Sequence, residues 1–322
     1  MSIKWGVIGT GGIAAEFVTD VLNHTQMSVV AVGSRSRESA AKFLPELGNK
    51  LTRYGSYEEL VAAPVDAIYI ATPHQMHCAN TILALNGKKP VLCEKPFAVN
   101  ANEAKAMHDA ARANQVLLME AMWTRYLPHI QKVRDLLSEL GDIYLVQADH
   151  GQAISHIKRL IDPNYAGGAL LDLGIYPISF IHMILGKPDL IVASAIVKDG
   201  VDLHTSAILS YNSGKQAIMN TNMVVKSPTV AAICGTKARL ELETSFYRPT
   251  NMRLSYADGR SKEFPNEYPG HGLREQAIYF EKLLIQGKQD SELLPMAETI
   301  SIMETLDEIR DQIGLKYPFE TN

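Results

Sequence analysis

At 322 residues the chain exceeds the size at which one hydrophobic core stops growing, which favours two domains. A hydrophobic fraction of 46% with 20% charged residues belongs to an ordinary globular protein and excludes a disordered or membrane-embedded chain. Lys and Arg total 31 against 35 Asp and Glu, a net charge of -4; that leaves no basic footprint for nucleic acid or anionic lipid, so the expected partner is a small molecule.

The first third alternates short β-branched runs with helical patterns, the signature of βαβ units that build a parallel sheet. Strands are expected at residues 3–8, 28–32, 67–71, 91–93 and 116–119, with helices at 12–22, 37–44, 56–62, 75–85 and 101–113. Past Met119 the pattern changes. Helices are expected at 127–140 and 168–185, followed by strand-like runs at 191–197, 205–211, 216–223, 230–234, 239–243 and 252–256. Asp199-Gly200, Asn212-Ser213-Gly214 and Asp258-Gly259 punctuate these runs, and strands without helices between them imply antiparallel pairing. Two amphipathic helices at 273–286 and 297–313 close the chain. The expected fold is α/β, with a doubly wound dinucleotide-binding domain over residues 1–121 and an α+β domain over 122–322.

Cys78, Cys93 and Cys234 form no CxxC, so neither a disulfide framework nor a metal cluster is expected, and a reducing cytoplasm fits. The chain runs from Met1 straight into Ile3–Ile8 with no basic n-region or apolar h-region, so no export is expected. The most apolar helix, near 169–185, carries Asp172, Pro177 and His182, which argues against a membrane span.

Directly after the first strand stands Gly9-Thr10-Gly11-Gly12-Ile13-Ala14, a GxGxxA fingerprint. In such a loop Gly9 makes the tight turn and Gly11 lets the backbone approach a pyrophosphate; Gly12 and Ile13 open the helix on whose N-terminus that pyrophosphate rests. An NAD enzyme should end its second strand with an acid that binds the ribose hydroxyls. This chain has Gly33-Ser34-Arg35-Ser36-Arg37 there. A guanidinium at Arg35 can grip a 2′-phosphate bidentately, with Ser34 as a short donor, so NADP is favoured over NAD. Ser36 has a second reading, as the cap of the next helix, and the two readings are compatible.

Thr72-Pro73-His74-Gln75-Met76-His77 follows the next strand, where a central strand end should border the cofactor. His74 and His77 share a helix face, but no acid or thiol at ligand spacing completes a metal site; Thr72, Pro73 and His77 are therefore cofactor candidates. Glu94-Lys95-Pro96 closes the apolar run 90–93 at another strand end, which puts Glu94 and Lys95 at the same crevice. Downstream, Asp172 lies inside the apolar run 167–177, where an unpaired carboxylate is costly, and Tyr176 is four residues on. Pro177 weakens that i,i+4 geometry. Trp123 and Arg125, just past the expected boundary, could line a pocket, the indole as a platform for a ring.

The fingerprint, Glu94-Lys95-Pro96, the run Gly167-Gly168-Ala169-Leu170-Leu171-Asp172-Leu173-Gly174-Ile175-Tyr176 and Gly235-Thr236-Lys237-Ala238-Arg239-Leu240 together resemble the Gfo/Idh/MocA oxidoreductase family over nearly the whole chain. Glu120–Pro128 and Tyr176 look most like its subgroup of dimeric dihydrodiol dehydrogenase, D-xylose 1-dehydrogenase and glucose-fructose oxidoreductase; many other members place histidine where Tyr176 stands. The resemblance implies a Rossmann domain joined to an open-faced, mainly antiparallel sheet whose outer face makes a homodimer, with the active site between the domains. It implies that Lys95 is the catalytic lysine, Asp172 the acid of the family motif and Tyr176 the acid/base. The activity implied is hydride transfer between NADP(H) and a hydroxyl-bearing carbon of a sugar, polyol or cyclic diol. A non-catalytic NADP sensor and a cofactor-retaining glycosidase-like member are the alternatives.

That trio is chemically coherent. Hydride leaves a carbinol carbon only as the hydroxyl proton departs, so a base must reach that oxygen. An unperturbed phenol titrates near ~10, and a neighbouring ammonium favours the phenolate. Lys95 would supply that charge and stabilise a developing alkoxide, with Asp172 holding Lys95 or a substrate hydroxyl. Sequence leaves open whether Lys95 or Tyr176 takes the proton; Tyr176 is preferred.

Overall fold

The computed structural model describes residues 2–320. They form two compact units. The first runs to Tyr126 and includes His271–Ile300; the second is Leu127–Gly270 and the chain from Ser301 onward.

The first unit is built on β1 (Lys4–Ile8), β2 (Ser28–Gly33), β3 (Thr52–Tyr54), β4 (Ala67–Ile70), β5 (Val91–Glu94) and β6 (Leu118–Ala121). Their order in the sheet is β3-β2-β1-β4-β5-β6 and every pairing is parallel. The order reverses between β1 and β4, so the crevice outside the carboxyl ends of those strands is the ligand position of such a sheet. The connecting helices are α1 (Gly12–His24), α2 (Arg37–Ala41), α3 (Tyr57–Val61), α4 (His77–Asn86) and α5 (Ala101–Asn114). Their starts are legible in local chemistry: Ser36, Ser56 and Asn100 each accept a bond from the backbone N–H three residues on. The short edge strand β3 was not expected from sequence, because Thr52-Arg53-Tyr54 has no apolar run to announce it.

Residues 271–300 return to this unit, whereas the sequence reading ended the first domain at residue 121 and assigned everything from 122 to the second. The cause is packing. Phe280 of a late helix puts its ring 5.0 Å from that of Trp5, which also meets Phe17 edge-on at 5.6 Å. Arg274 anchors the same segment through a backbone bond to Asp20 of 2.7 Å and an ion pair of 3.1 Å. An amphipathic helix declares in sequence that one face is buried, not which core buries it.

The second unit opens with α6 (Pro128–Leu136) and carries eight strands: β7 (Ile143–Gly151), β8 (Leu190–Lys198), β9 (Val201–Ser210), β10 (Gln216–Asn222), β11 (Ala231–Gly235), β12 (Ala238–Leu242), β13 (Met252–Tyr256) and β14 (Ser261–Phe264). The order is β14-β13-β12-β11-β7-β10-β9-β8. All pairings are antiparallel except β7 with β10, which is parallel. That exception has a reason: α7 (Ile175–Leu185) lies between β7 and the later strands, a crossover that returns the chain in the same direction. β7 escaped sequence detection because its inward residues Val146, Ala148 and His150 alternate with polar Gln147 and Asp149, and its last inward position is itself polar. β14 is a charged edge.

Residues 163–185 are long and apolar enough to cross a membrane, but 83% of the most apolar window is buried inside the protein. Its apolarity is explained by packing on the inner face of the sheet, where Val146, Ala148, Leu209, Ala217, Met219 and Ile233 are also buried. The remaining helices are α8 (Leu273–Ile285) and α9 (Met296–Gln312), and the division between the units falls within α9.

Candidate active site

In the first unit the fingerprint forms the turn between β1 and α1. Gly9 holds φ +115°, and a Cβ there would stand 2.4 Å from the Ala71 carbonyl oxygen, so any side chain would push β1 off β4. Gly11 and Gly12 differ: a Cβ on either meets nothing within 4 Å, which means their hydrogens keep a space open rather than relieve a clash. Gly11 is the N-cap of α1 and contributes no side-chain bond, so the first N–H groups of that helix remain to bind an anion. Thr10, Gly11, Gly12, Ala15, Ser39, Lys42, Phe43 and Leu44 line a cavity of about 440 Å³. Ile13, half-buried, opens α1 beside it. These residues fit a dinucleotide diphosphate. Ser34 is buried at the end of β2 while Arg35 is exposed. Ser36 caps α2 by accepting the Ser39 N–H at 3.2 Å.

The loop after β4 contains a second device. His77 is fully buried, and its two ring nitrogens lie 2.8 Å from the carbonyl oxygens of Pro96 and Thr72. Burial lowers its pKa below the ordinary histidine range, partly offset by those carbonyls. The imidazole thereby ties the loop after β4 to the loop after β5. Asn80 donates to the Thr72 hydroxyl at 3.1 Å, and half-buried Pro73 completes the turn. His74 is buried, with its ring 5.9 Å from that of His77.

Lys95 follows β5, half-buried. Its own N–H is held by the Glu94 carboxylate at 3.1 Å, and that carboxylate also accepts the Tyr69 hydroxyl at 2.5 Å. Glu94 and His77 are therefore braces of the Lys95 loop, whatever they also touch in the cofactor. Trp123 and Arg125, both 3% exposed, occupy the turn after β6. The indole lies 4.6 Å from the His271 ring, while the Arg125 guanidinium pairs with Glu298 at 2.7 Å and donates to the Leu293 carbonyl at 3.1 Å. A guanidinium held this way ties the turn to α9. Beside it Glu120 is pushed up to about 7 by burial, against a bond from Thr299.

The second unit supplies Asp172 and Tyr176, 6% and 7% exposed. The expected single helix over 168–185 is divided: Leu170–Gly174 make a wide π turn that holds Asp172, and α7 then carries Tyr176. Wide turns of this kind often mark functional positions, and here one ends three residues before Pro177, which has no N–H to give.

The entry to this helix is clamped. Asp202, fully buried, accepts the Leu170 N–H at 2.8 Å and the Thr205 hydroxyl at 2.6 Å. Gly168 has φ +124°, and a Cβ there would come 2.2 Å from the Asp202 carboxylate, so glycine is required where the chain approaches the acid. Tyr317 donates to the Gly167 carbonyl at 2.7 Å and Thr221 to that of Ala169 at 3.3 Å. Burial raises Asp202 from 3.8 to about 6. Between those values the folded protein holds a proton that the unfolded chain has released, so this group's contribution to stability falls as pH rises through that window and is flat above it. Asp202→Asn should remove about 2–3 kcal/mol of pH dependence between pH 4 and 7, read as the wild-type minus variant difference in urea unfolding free energy.

A ring cluster that sequence reasoning missed adjoins Tyr176. The His150 ring lies 5.1 Å from Tyr176 and stacks on Tyr247 at 4.2 Å, and Tyr176 and Tyr247 are 4.8 Å apart. Gln152 joins them, with its amide 2.7 Å from His150 Nε2 and 3.1 Å from the Tyr247 hydroxyl. The available signal was a histidine at an inward position of an alternating strand.

A strand-turn-helix diphosphate site on a doubly wound sheet, joined to a sheet whose covering helix bears a buried acid and tyrosine, defines a nicotinamide-dependent oxidoreductase of two units. Comparison with known proteins agrees. Residues 3–122 match the model of the oxidoreductase family with NAD-binding Rossmann fold, and residues 130–241 match the Gfo/Idh/MocA C-terminal domain. The chain belongs to the Gfo/Idh/MocA family. It is 36% identical to the trans-1,2-dihydrobenzene-1,2-diol dehydrogenase of Mus musculus over 99% of both chains. Identity to the D-xylose 1-dehydrogenase (NADP(+)) of Hypocrea jecorina is 35%, over 98% of this chain and 93% of that one. The 3-ketoreductase KijD10 of Actinomadura kijaniata, solved with NADP and TDP-benzene, superposes with a TM-score of 0.86 at 25% identity, covering 97% of this chain and 98% of that one. The protein is an oxidoreductase of that family with an NAD-binding Rossmann domain.

Proposed function

We propose that this enzyme oxidises a secondary or hemiacetal hydroxyl of a sugar, polyol or cyclic diol, with Lys95, Asp172 and Tyr176 as its catalytic residues. The observation that carries the reading is the construction around Lys95: two buried side chains, His77 and Glu94, are spent on fixing one lysine loop beside the dinucleotide crevice. NADP, when bound, accepts the hydride. Tyr176 takes the proton from the substrate hydroxyl, and the Lys95 ammonium stabilises the negative charge that develops on the substrate oxygen and favours the ionised phenol. Asp172 orients Lys95 or a neighbouring substrate hydroxyl. Ser34 and Arg35 hold the 2′-phosphate, with Arg35 as the bidentate donor. Trp123 lines the substrate pocket. Arg125, given its ion pair with Glu298, supports that wall rather than reaching substrate.

The test is a panel of aldoses, inositols and aromatic dihydrodiols read at the NADPH absorbance, with NAD in parallel. Reduction of NADP by at least one class is expected. Absence of turnover across the panel would sink the reading in favour of an NADP-binding sensor, and product formed with no net NADPH would point to the glycosidase-like alternative. A cytoplasmic location belongs to the same proposal, supported by three cysteines that are all free thiols.

The same proposal includes a homodimer through the outer face of the second sheet. Register places Val192, Ile208 and Ile218 side by side across β8, β9 and β10, and they are 59%, 44% and 39% exposed. Leu190 and Ile196, 58% and 60% exposed, extend the same face. A row of apolar side chains across three strands is costly in water and suits a second copy of this sheet. Ile208→Asp should convert the dimer to monomer in light scattering at micromolar concentration while the far-UV spectrum stays unchanged.

A further inference from the structure

We infer that Arg53 is the positioning residue of the dinucleotide cavity: without lining the cavity itself, it sets the affinity for the adenosine end of NADP by holding Phe43 and Leu44 in place as part of the wall. The inference rests on the NADP reading above and concerns how that site is built.

The cavity has two kinds of lining. Thr10, Gly11, Gly12 and Ala15 come from the turn after β1 and from α1, a helix of 13 residues that the parallel sheet holds in place. Ser39, Lys42, Phe43 and Leu44 come from α2 and the chain that leaves it. This second group has little regular structure behind it. α2 is 5 residues long, too short to be stable through its own hydrogen bonds, and the chain continues over 45–50 as a 3-10 turn interrupted by non-helical Gly48. Leu44 has φ +43°, a left-handed conformation that its Cβ disfavours. A leucine stays there only where its surroundings fix it.

Arg53 supplies that fixation. It lies on β3 in register with Val32 of β2, so the parallel sheet sets its backbone. From there Nη1 donates to the carbonyls of Gly48 and Leu51 at 2.8 and 2.9 Å, and Nη2 donates to those of Phe43 and Leu44 at 3.2 and 3.0 Å. Four carbonyls spread over residues 43–51 converge on one planar fork, and two of them belong to residues that line the cavity. The remaining donor, Nε, is buried without a partner, so the hydrogen bonding of this side chain goes to the loop. A lysine offers one ammonium with three donors and cannot reproduce the fork. The consequence is regional. The wall brings Ser39 and Lys42, a hydroxyl and an ammonium suited to phosphate, to the cavity just past Ser34 and Arg35 in the chain, whereas Lys95 follows β5, on the other side of the point where the strand order reverses. Loosening the wall therefore weakens the hold on the phosphorylated adenosine equally in ground state and transition state, which raises Kd and KM for the cofactor and leaves kcat in place.

The experiment titrates NADPH fluorescence in the full-length wild type, Arg53→Met and Arg53→Lys, and repeats the titration with 2′,5′-ADP as a competing fragment. Arg53→Met should raise the Kd for NADPH about tenfold or more, and Arg53→Lys should stay about fivefold or more weaker than wild type, because it keeps the charge and loses the fork. The affinity for 2′,5′-ADP should fall by the same factor as that for NADPH, and with the best substrate of the panel the KM for NADP should rise while kcat at saturation stays within about twofold. Arg53→Lys gives the same readout if Arg53→Met folds poorly. A Kd for NADPH within about threefold of wild type in either variant overturns the inference, as does a loss that spares 2′,5′-ADP or a matching fall in kcat at saturation. A wild type that binds NADH and not NADPH removes the NADP reading instead, and the same variants titrated with NADH and 5′-AMP then decide on Arg53.

Discussion

Lys95→Met is expected to lower kcat by about 10³-fold while the Kd for NADPH changes by less than about threefold. The magnitude follows from what the ammonium is asked to do. In the proposed mechanism it supplies positive charge at an oxygen that becomes negative only as hydride departs, so its loss would be felt in the transition state and hardly in cofactor binding. Methionine keeps the length and apolar stem of the side chain. The loop itself should stay in place, because its braces are the Glu94 carboxylate on the Lys95 N–H and the His77 imidazole on the Pro96 carbonyl, neither of which uses the ammonium. NADPH fluorescence titration and initial rates on the best substrate of the panel measure the two effects separately. A variant with wild-type turnover would remove Lys95 from the catalytic assignment.

The second large effect is expected at Tyr176. Tyr176→Phe deletes one oxygen and leaves a ring that can still pack at 5.1 Å from His150 and 4.8 Å from Tyr247, so stability should change by less than about 1 kcal/mol. Turnover should nevertheless fall by about 10²–10⁴-fold, the contribution of a positioned general base. The double variant with Lys95→Met is the sharper measurement. Two groups that act on one proton lose little more together than either does alone, whereas independent roles multiply. Multiplicative losses would mean that Lys95 acts on the substrate without involving Tyr176.

Lys95 and Tyr176 were both legible in the chain, and the residues around them were legible to different degrees. Gly9, Gly11 and Lys95 are visible because a phosphate loop and a strand-end lysine are local chemistry: a turn, a helix N-terminus and a charge after an apolar run. His77 was visible as a candidate and not as what it is. Two carbonyls from separate loops converge on its ring, and sequence spacing contains no information about which loops converge. For Arg125 its proximity to the expected boundary suggested a pocket, and its partner Glu298, 173 residues away, was not visible in sequence. His150 was silent because β7 alternates with polar residues, and a strand without an apolar run looks like a loop until its neighbours supply the sheet.

By itself the sequence determined the doubly wound first sheet, the glycine-rich turn between its first strand and helix, and the family to which the chain belongs. Each of these is written in short-range patterns, in which the turn, cap or periodicity and the residues that cause it lie within one element. Only the tertiary structure decided that α8 packs beside Trp5, that β7 runs parallel to β10, that a buried carboxylate at 202 clamps the start of the helix bearing Asp172 and Tyr176, and that His150 stands next to that tyrosine. Those facts depend on which distant surfaces exclude water together, and burial against a specific partner is a property of the packed chain rather than of any window along it.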